Sequence, residues 1–473
     1  MTGIVLGHEE IEEKTQGSEV QDETSLLKSI GFIQYSFQTF LVQISVTVLG
    51  VVLTVFSARL LGPEGKGILS LLILLPVLAV TFGRLGIGNS IIYHAPRVSH
   101  PRLIFNGFLL ILFIGAIVSL LTLPVVLWLR NSLFKNIPLS WLILMCGMIV
   151  FFFLYDFMTS LFIALYHINL RNRMVILFPA ANIVLFVIFV IVMKGKVKGA
   201  IGAWSLAVIF SLIVSWRWLV KKAVWREGKI DFALMKQLLR FGIKSHLGTL
   251  LEILNYRADY LLVNLYAGPF SVGLYSCSVN MAETAWKLPE AASIVLLPNA
   301  ARMPLPQAQA LTQKICRMVL FLVFVFCIFV VIFRKTIILI LFGKAFLPSA
   351  EPLLILLPGF IAFAVWKILA YGLLAQGYPQ KYSLTSGLAF FTMIILDFLF
   401  IPQKGIAGAA WASTIAYFFA TIVVIAIYSR MTKTHLKALF IPQKSDFGAL
   451  IGYLLERARF LRIKNKKIGR QSI

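Results

Sequence analysis

Leu61-Gly62-Pro63-Glu64-Gly65-Lys66-Gly67-Ile68-Leu69-Ser70 returns 206 residues later as Ala267-Gly268-Pro269-Phe270-Ser271-Val272-Gly273-Leu274-Tyr275-Ser276. Gly62, Pro63, Gly67 and Ser70 thereby correspond to Gly268, Pro269, Gly273 and Ser276. The same offset carries Lys198-Gly199-Ala200-Ile201-Gly202-Ala203 onto Lys404-Gly405-Ile406-Ala407-Gly408-Ala409. One register holding at both ends of a half-chain implies two tandem copies of a single unit.

The copies are apolar. With 59% hydrophobic and only 13% charged residues, the 473-residue chain lies outside the range of water-soluble domains, which carry about 25% charge. Stretches of about 20 apolar residues fall near 34–60, 67–93, 103–129, 139–166, 174–193, 199–220, 240–266, 271–299, 317–342, 350–376, 382–402 and 405–428. The reading is an all-α polytopic membrane protein of about 12 transmembrane helices, six in each copy. Because six is even, both copies enter the membrane from the same side, making a parallel internal repeat. Such duplication is a mark of secondary transporters, whose substrate site lies between the repeats.

The expected domains are an acidic, disordered cytoplasmic tail (1–30), an N-lobe (31–220), a basic inter-lobe linker (221–239), a C-lobe (240–428) and a basic cytoplasmic tail (429–473). Residues 1–30 lack the basic start and apolar core of a cleavable signal. Loop Lys and Arg residues favour cytoplasmic termini by a small margin. The tail decides the orientation: eleven Lys or Arg against Asp446 and Glu456 are expected to rest on anionic lipid of the cytoplasmic leaflet. Much of the net charge of +25 is then topology and lipid binding, and nucleic acid is not expected as a partner. Cys146, Cys277, Cys316 and Cys327 lie in apolar stretches without metal-site spacing, so they read as buried thiols and no metal is expected. No P-loop motif and no loop large enough for a catalytic domain is visible, which argues against an ATP-driven pump or an enzyme.

Ionisable side chains at bilayer depth cost about 2.5 to 3.5 kcal/mol on insertion scales and persist only facing protein or water. Glu252, Arg257 and Asp259 lie in the seventh span, Glu283, Lys287 and Glu290 in the eighth, and Arg84, Asp156, Lys367 and Asp397 elsewhere. Asn280, Glu283, Lys287 and Glu290 form one helical stripe, as do Glu252, Asn255 and Asp259, so both spans are expected to wall one hydrated cavity. The alternative is neutralised pairs such as Glu283 with Lys287. Arg257 sits about 15 Å inside the turn at Ala267, near the bilayer midplane. Its partner is either Asp259 or Glu252, or a substrate phosphate, whose oxygens fit the guanidinium fork.

Ser57-Ala58-Arg59-Leu60-Leu61-Gly62-Pro63-Glu64-Gly65-Lys66-Gly67, Arg257-Ala258-Asp259-Tyr260 followed by Val272-Gly273-Leu274-Tyr275-Ser276, and Gly405-Ile406-Ala407-Gly408-Ala409-Ala410-Trp411 resemble the polysaccharide transporter (Wzx-type oligosaccharide flippase) branch of the multidrug/oligosaccharidyl-lipid/polysaccharide (MOP) exporter superfamily. The resemblance covers about residues 30–430. It implies two six-helix bundles in a V around a central cavity that opens alternately inward and outward. The implied cargo is a polyprenyl-diphosphate-linked oligosaccharide turned over in the inner membrane for O-antigen, capsule or exopolysaccharide synthesis. A polysaccharide polymerase and a chain-length regulator are the implied partners.

Such a cargo, with a diphosphate and a sugar head, needs a hydrated cationic lane. Arg84, Arg257, Lys287 and Lys367 are the expected substrate-binding cations, and Asp259, Glu283 and Glu290 the expected sites of H⁺ or Na⁺ coupling. No other cofactor is expected. A MATE-type antiporter of organic cations or drugs would share the fold but needs a net acidic cavity. A lipid II flippase would be expected to carry two further spans, and a membrane-embedded glycosyltransferase or polymerase a large outer loop. Finally, Arg84 plus 206 is Glu290, so these charges are expected to meet across the pseudo-two-fold axis when the protein is outward-open, unless Glu290 pairs locally with Lys287.

Overall fold

The computed structural model describes residues 5–95, 97–135, 137–221, 229–434, 437–441 and 443. Side chains are described from Leu41 onward, with several positions of the central helix, Glu252 among them, outside the described set. The basic tail therefore lies mostly outside the described residues, as does 222–228 of the expected linker.

The chain is helical throughout its described length: α1 (Val5–Gly83), α2 (Ile87–His94), α3 (His100–Trp128), α4 (Arg130–Leu133), α5 (Leu139–Ala164), α6 (Ile168–Phe186), α7 (Lys196–Lys221), α8 (Phe232–Arg302), α9 (Leu305–Leu341), α10 (Ala350–Ala375), α11 (Pro379–Thr432) and α12 (Lys437–Phe440). α6 continues as a π-helix over Val187–Val192, and a 3₁₀ segment, Lys344–Ser349, leads into α10. Among the described residues, eight helices are long and apolar enough to cross a membrane. α8 is not among these eight; it carries the charges that marked the seventh and eighth spans.

Three of the long helices are folded hairpins. Gly62 (φ 70°, ψ 178°) breaks α1 and Gly268 (φ 74°, ψ 176°) breaks α8, while Gly405 (φ 55°) breaks α11. The conformation of Gly62 and Gly268 is open essentially to glycine alone. Pro63 and Pro269 follow at the first helical position, where the missing N–H costs nothing and φ is already set. Counting both halves of α1, α8 and α11 gives the twelve expected segments. The repeat read from letters is thus also a repeat of backbone angles.

α3, α5, α6 and α7 pack around α1, while α9, α10 and α11 pack around α8, and α1 against α8 forms the main contact between the two groups. That contact is reciprocal. A methyl group on Gly67 would overlap the carbonyl oxygen of Pro269, and one on Gly273 would overlap that of Pro63. The two Gly-Pro turns therefore cross backbone to backbone about a local two-fold axis. Arg59 adds a tie, donating to the carbonyls of Leu341 (2.8 Å) and Ile340 at the C-terminus of α9, the negative end of that helix dipole.

Three boundaries differ from the sequence expectation. The acidic segment expected to be disordered is helical from Val5 and extends α1, in keeping with its strong helix formers Glu9, Glu10, Glu12 and Glu13. The helix expected to start at 240 begins at Phe232, because the Asp231 side chain accepts from the N–H of Leu234 (3.0 Å) and caps α8. The second span is broken: Arg84 follows the end of α1, and Leu85 (φ 45°) and Gly86 (φ 66°) turn the chain into α2.

Candidate functional site

The second break creates another close approach, about 27 Å along the helix from Gly67. A methyl on Gly242 of α8 would overlap the carbonyl oxygen of Leu85, and Tyr93 of α2 stacks on Phe241 at 4.2 Å. α1 and α8 therefore approach each other at the Gly67–Pro269 crossing and again where Leu85 meets Gly242.

A crevice of about 410 Å³ lies between the first half of α1 and the second half of α8. Gln43, Thr47 and Thr54 of the first half of α1 line one wall, and Asn280, Glu283, Thr284 and Lys287 of the second half of α8 line the other, with Phe326, Leu341 and Phe342 beside them. The stripe expected on the eighth span is real: its first three members, four or fewer residues apart, share this wall.

Arg257 reaches across from the first half of α8. Its Nη1 donates to Glu283 Oε1 at 2.8 Å and its Nη2 to Oε2 at 3.3 Å, a two-pronged ion pair with side chains 29% and 17% exposed. The partner of Arg257 is therefore not Asp259, and that of Glu283 is Arg257 rather than the expected Lys287; the side chain of Glu252 lies outside the described residues. Lys287 instead donates to Glu290 at 2.9 Å. In this state Glu290 takes its local partner and not Arg84, which lies at the helix break within electrostatic range of Asp156. The expected meeting of Arg84 and Glu290 is not made here, because the i, i+3 spacing keeps Lys287 closer.

The stripe on the seventh span faces elsewhere. Asp259 is 4% exposed, accepts from the Tyr260 N–H (2.9 Å) and from the Tyr275 hydroxyl (2.7 Å), and points into the C-lobe. Asn255, four residues earlier on the same helix, is also buried. Asp397 of α11 lies within electrostatic range of Asp259 and Tyr275, and neither of its buried oxygens accepts a hydrogen bond among the described residues. Lys367 is also inside the C-lobe: its Nζ lies 5.0 Å from the Tyr371 ring centre and 5.5 Å from that of Trp286. Trp286 in turn packs on Tyr256 (4.0 Å) and Phe363 (5.2 Å). The structure thus brings Arg257, Glu283, Lys287 and Glu290 together on α8, buries Asp259 and Lys367 behind them, and leaves Arg84 apart. The four cysteines are free and buried, as expected.

Sequence reasoning left two features unassigned. Asp397 stood out only as one of several intramembrane charges, with nothing in the spacing to join it to Asp259, on another helix. The α1 wall of the crevice carries Gln43, Thr47 and Thr54, uncharged residues that a search for ionisable groups passes over.

Two broken-helix bundles crossing at their breaks, with a cluster of charges along α8, make an all-α fold built from membrane-spanning helices. The chain belongs to the polysaccharide biosynthesis protein family, whose profile matches residues 56–351. The fold is shared with the lipid II flippase MurJ in an inward closed conformation (14% identity, TM-score 0.70, covering 86% of this chain and 89% of that one). It is shared also with a MATE family multidrug transporter of the MOP superfamily in an inward-facing conformation (16%, 0.62, 84% and 94%). A third example is a MOP superfamily transporter from Pyrococcus furiosus (17%, 0.60, 85% and 95%). No curated protein sequence is similar enough to match. The chain is a multi-pass membrane protein, and the folds it shares are those of transporters and a flippase rather than enzymes.

Proposed function

We propose that this protein is a flippase for polyprenyl-diphosphate-linked oligosaccharide repeat units, moving them across the cytoplasmic membrane by alternating opening of its two lobes for O-antigen, capsule or exopolysaccharide assembly. The supporting observation is the Arg257 fork. It lies beside a crevice whose largely apolar lining includes the hydroxyl and amide side chains of Gln43, Thr47, Thr54, Asn280 and Thr284, with Lys287 on the α8 wall. Eleven residues separate Arg257 from the break at Gly268, about 16 Å of helix, which sets it near the middle of a hydrocarbon core about 30 Å thick. A diphosphate crossing there needs fixed cations, and polar neighbours that accept a sugar head.

The two lobes are the N-lobe and C-lobe on either side of the segment before Phe232, with both termini cytoplasmic and the basic tail on anionic lipid. Coupling falls to the C-lobe interior. A buried carboxylate without donors is costly, so Asp397 beside Asp259 would hold either a proton or a small cation such as Na⁺. Glu283 and Glu290 are weaker coupling candidates, since each is paired with a cation. That same pairing weighs against an exporter of organic cations, which would meet no unpaired carboxylate on the crevice wall among the described residues. A lipid II flippase would recognise the same diphosphate, and the sugar carried by the accumulating lipid separates the two readings.

The test is deletion of the gene. Surface polysaccharide should be lost while lipid-linked repeat units accumulate on the inner leaflet. Arg257→Ala should partly reproduce this, and Arg257→Lys should restore some transport. Normal surface polysaccharide in the deletion strain would overturn the proposal.

A further inference from the structure

The edge that Arg257 would present to a phosphate is already occupied. Glu283 meets it with both carboxylate oxygens, at 2.8 Å and 3.3 Å, the fork-on-fork geometry that a guanidinium also makes with phosphate. Both charges are reachable, and Glu283 itself lines the crevice. Four residues along the same helix face stands Lys287, within reach of a different Glu283 rotamer. The repeat has no second such arrangement: subtracting 206 from Arg257, Glu283 and Lys287 gives Val51, Val77 and Thr81.

We propose that Glu283 is an internal stand-in for the substrate phosphate. It neutralises Arg257 while the crevice is empty and yields it to an entering diphosphate by swinging toward Lys287. This rests on Arg257 being the phosphate ligand. The logic is electrostatic. A guanidinium left bare at this depth would be costly, and so would a carboxylate. Exchanging one two-pronged anion for another keeps the guanidinium compensated throughout, and the displaced carboxylate shares Lys287 with Glu290, which holds it at 2.9 Å in the empty crevice. It also sets a threshold for entry, since only a ligand with a phosphate-like pair of oxygens can displace the carboxylate. A neutral sugar or a prenyl alcohol cannot. Glu283 thereby acts as a specificity residue that opposes binding, which reverses the sign of its expected mutational effect.

The experiment uses the full chain in lipid nanodiscs with farnesyl diphosphate as the ligand and farnesol as the control. Glu283→Gln keeps the size of the side chain and removes its charge. It should bind farnesyl diphosphate about tenfold more tightly than wild type, while farnesol binding stays unchanged. Arg257→Ala should lose diphosphate binding, and Arg257→Ala combined with Glu283→Gln should bind no better than Arg257→Ala. Glu283→Ala provides a second charge removal in case the amide disturbs folding, and it should also tighten binding. If wild type binds through Arg257 but neither Glu283 variant binds more tightly, the stand-in role is wrong and the phosphate site survives. If binding is indifferent to Arg257, both ideas fall.

Discussion

The N-lobe and the C-lobe share a backbone but not a chemistry. Gly62 and Gly268 adopt the same torsion angles to within a few degrees, and Gly67 and Gly273 make the same close contact with each other's proline carbonyls. At the charged positions the correspondence fails. Arg257, Asp259, Glu283, Lys287 and Asp397 correspond through the 206-residue offset to Val51, Leu53, Val77, Thr81 and Ile191. The duplicated feature is the backbone crossing of the two bundles, the point about which the proposed alternating opening would turn them. The charges that line the crevice belong to one bundle, and the other faces them with Gln43, Thr47 and Thr54. On the proposed function, the symmetric crossing would serve movement and the asymmetric charges recognition.

The largest effect should come from spoiling the shared crossing. Gly67→Ala and Gly273→Ala each force a methyl into a backbone carbonyl, at a cost of about 1 to 3 kcal/mol or more from overpacking. The two should be equally damaging to folded yield and to transport. Gly147→Ala in α5, where a methyl meets open space, should be neutral or slightly stabilising, by up to about 1 kcal/mol of helix propensity. Thermal unfolding of the three variants in one detergent checks this, and a marked difference between the two crossing glycines would break the symmetry.

Next in size is the contrast between Arg257 and its counterpart Val51. Removing Arg257 leaves Glu283 unpaired in a partly solvated site, so Arg257→Ala should lose about 1 to 3 kcal/mol of stability, below the range for fully buried pairs. Val51→Ala, on a side chain that is exposed, should lose less than half a kcal/mol. A double-mutant cycle on Arg257 and Glu283 should give a coupling of about 0.5 to 3 kcal/mol, whereas additive losses would remove the pair from the account.

Asp397→Asn sharpens the asymmetry in another direction. With no donor to lose among the described residues, it should leave the unfolding temperature unchanged or raised. It should, however, abolish any dependence of transport on a proton or sodium gradient. Retention of that dependence would move coupling away from the C-lobe interior.

The smallest effect concerns Asp231, at the surface where the segment from the N-lobe enters α8. The N–H of Leu234, followed by the guanidinium of Arg102, holds its carboxyl below the usual carboxylate range. A lowered folded-state value means that its contribution is complete above the unfolded carboxylate pKa of about 3.9 and fades as pH falls through the folded one. Asp231→Asn should therefore lower the unfolding temperature slightly at pH 7, with the difference from wild type vanishing in acid.

Much of the fold was legible because its decisive signals are local. Gly62-Pro63 and Gly268-Pro269 encode a turn with a unique backbone requirement, and their spacing encodes the repeat. The break at Leu85-Gly86 carried the same kind of signal, but sits inside an apolar run that reads as one continuous span. The site was legible as a set of charges and not as pairs. Arg257 and Glu283 are 26 residues apart on opposite halves of a folded helix, so their meeting depends on where Gly268 bends the chain. Asp259 lies two residues from Arg257 yet faces the opposite way, toward Tyr275, because neighbours two apart on a helix point to different sides.

The most direct test of the central claim is translocation by the purified protein in liposomes. A fluorescent prenyl-diphosphate oligosaccharide is placed in one leaflet, and its arrival in the other is read by quenching from outside. Wild type should move the lipid, Arg257→Ala should move it at least about tenfold more slowly, and a prenyl-linked sugar lacking the diphosphate should stay in place. Equal movement of the lipids with and without the diphosphate, or no movement of either, would contradict the account.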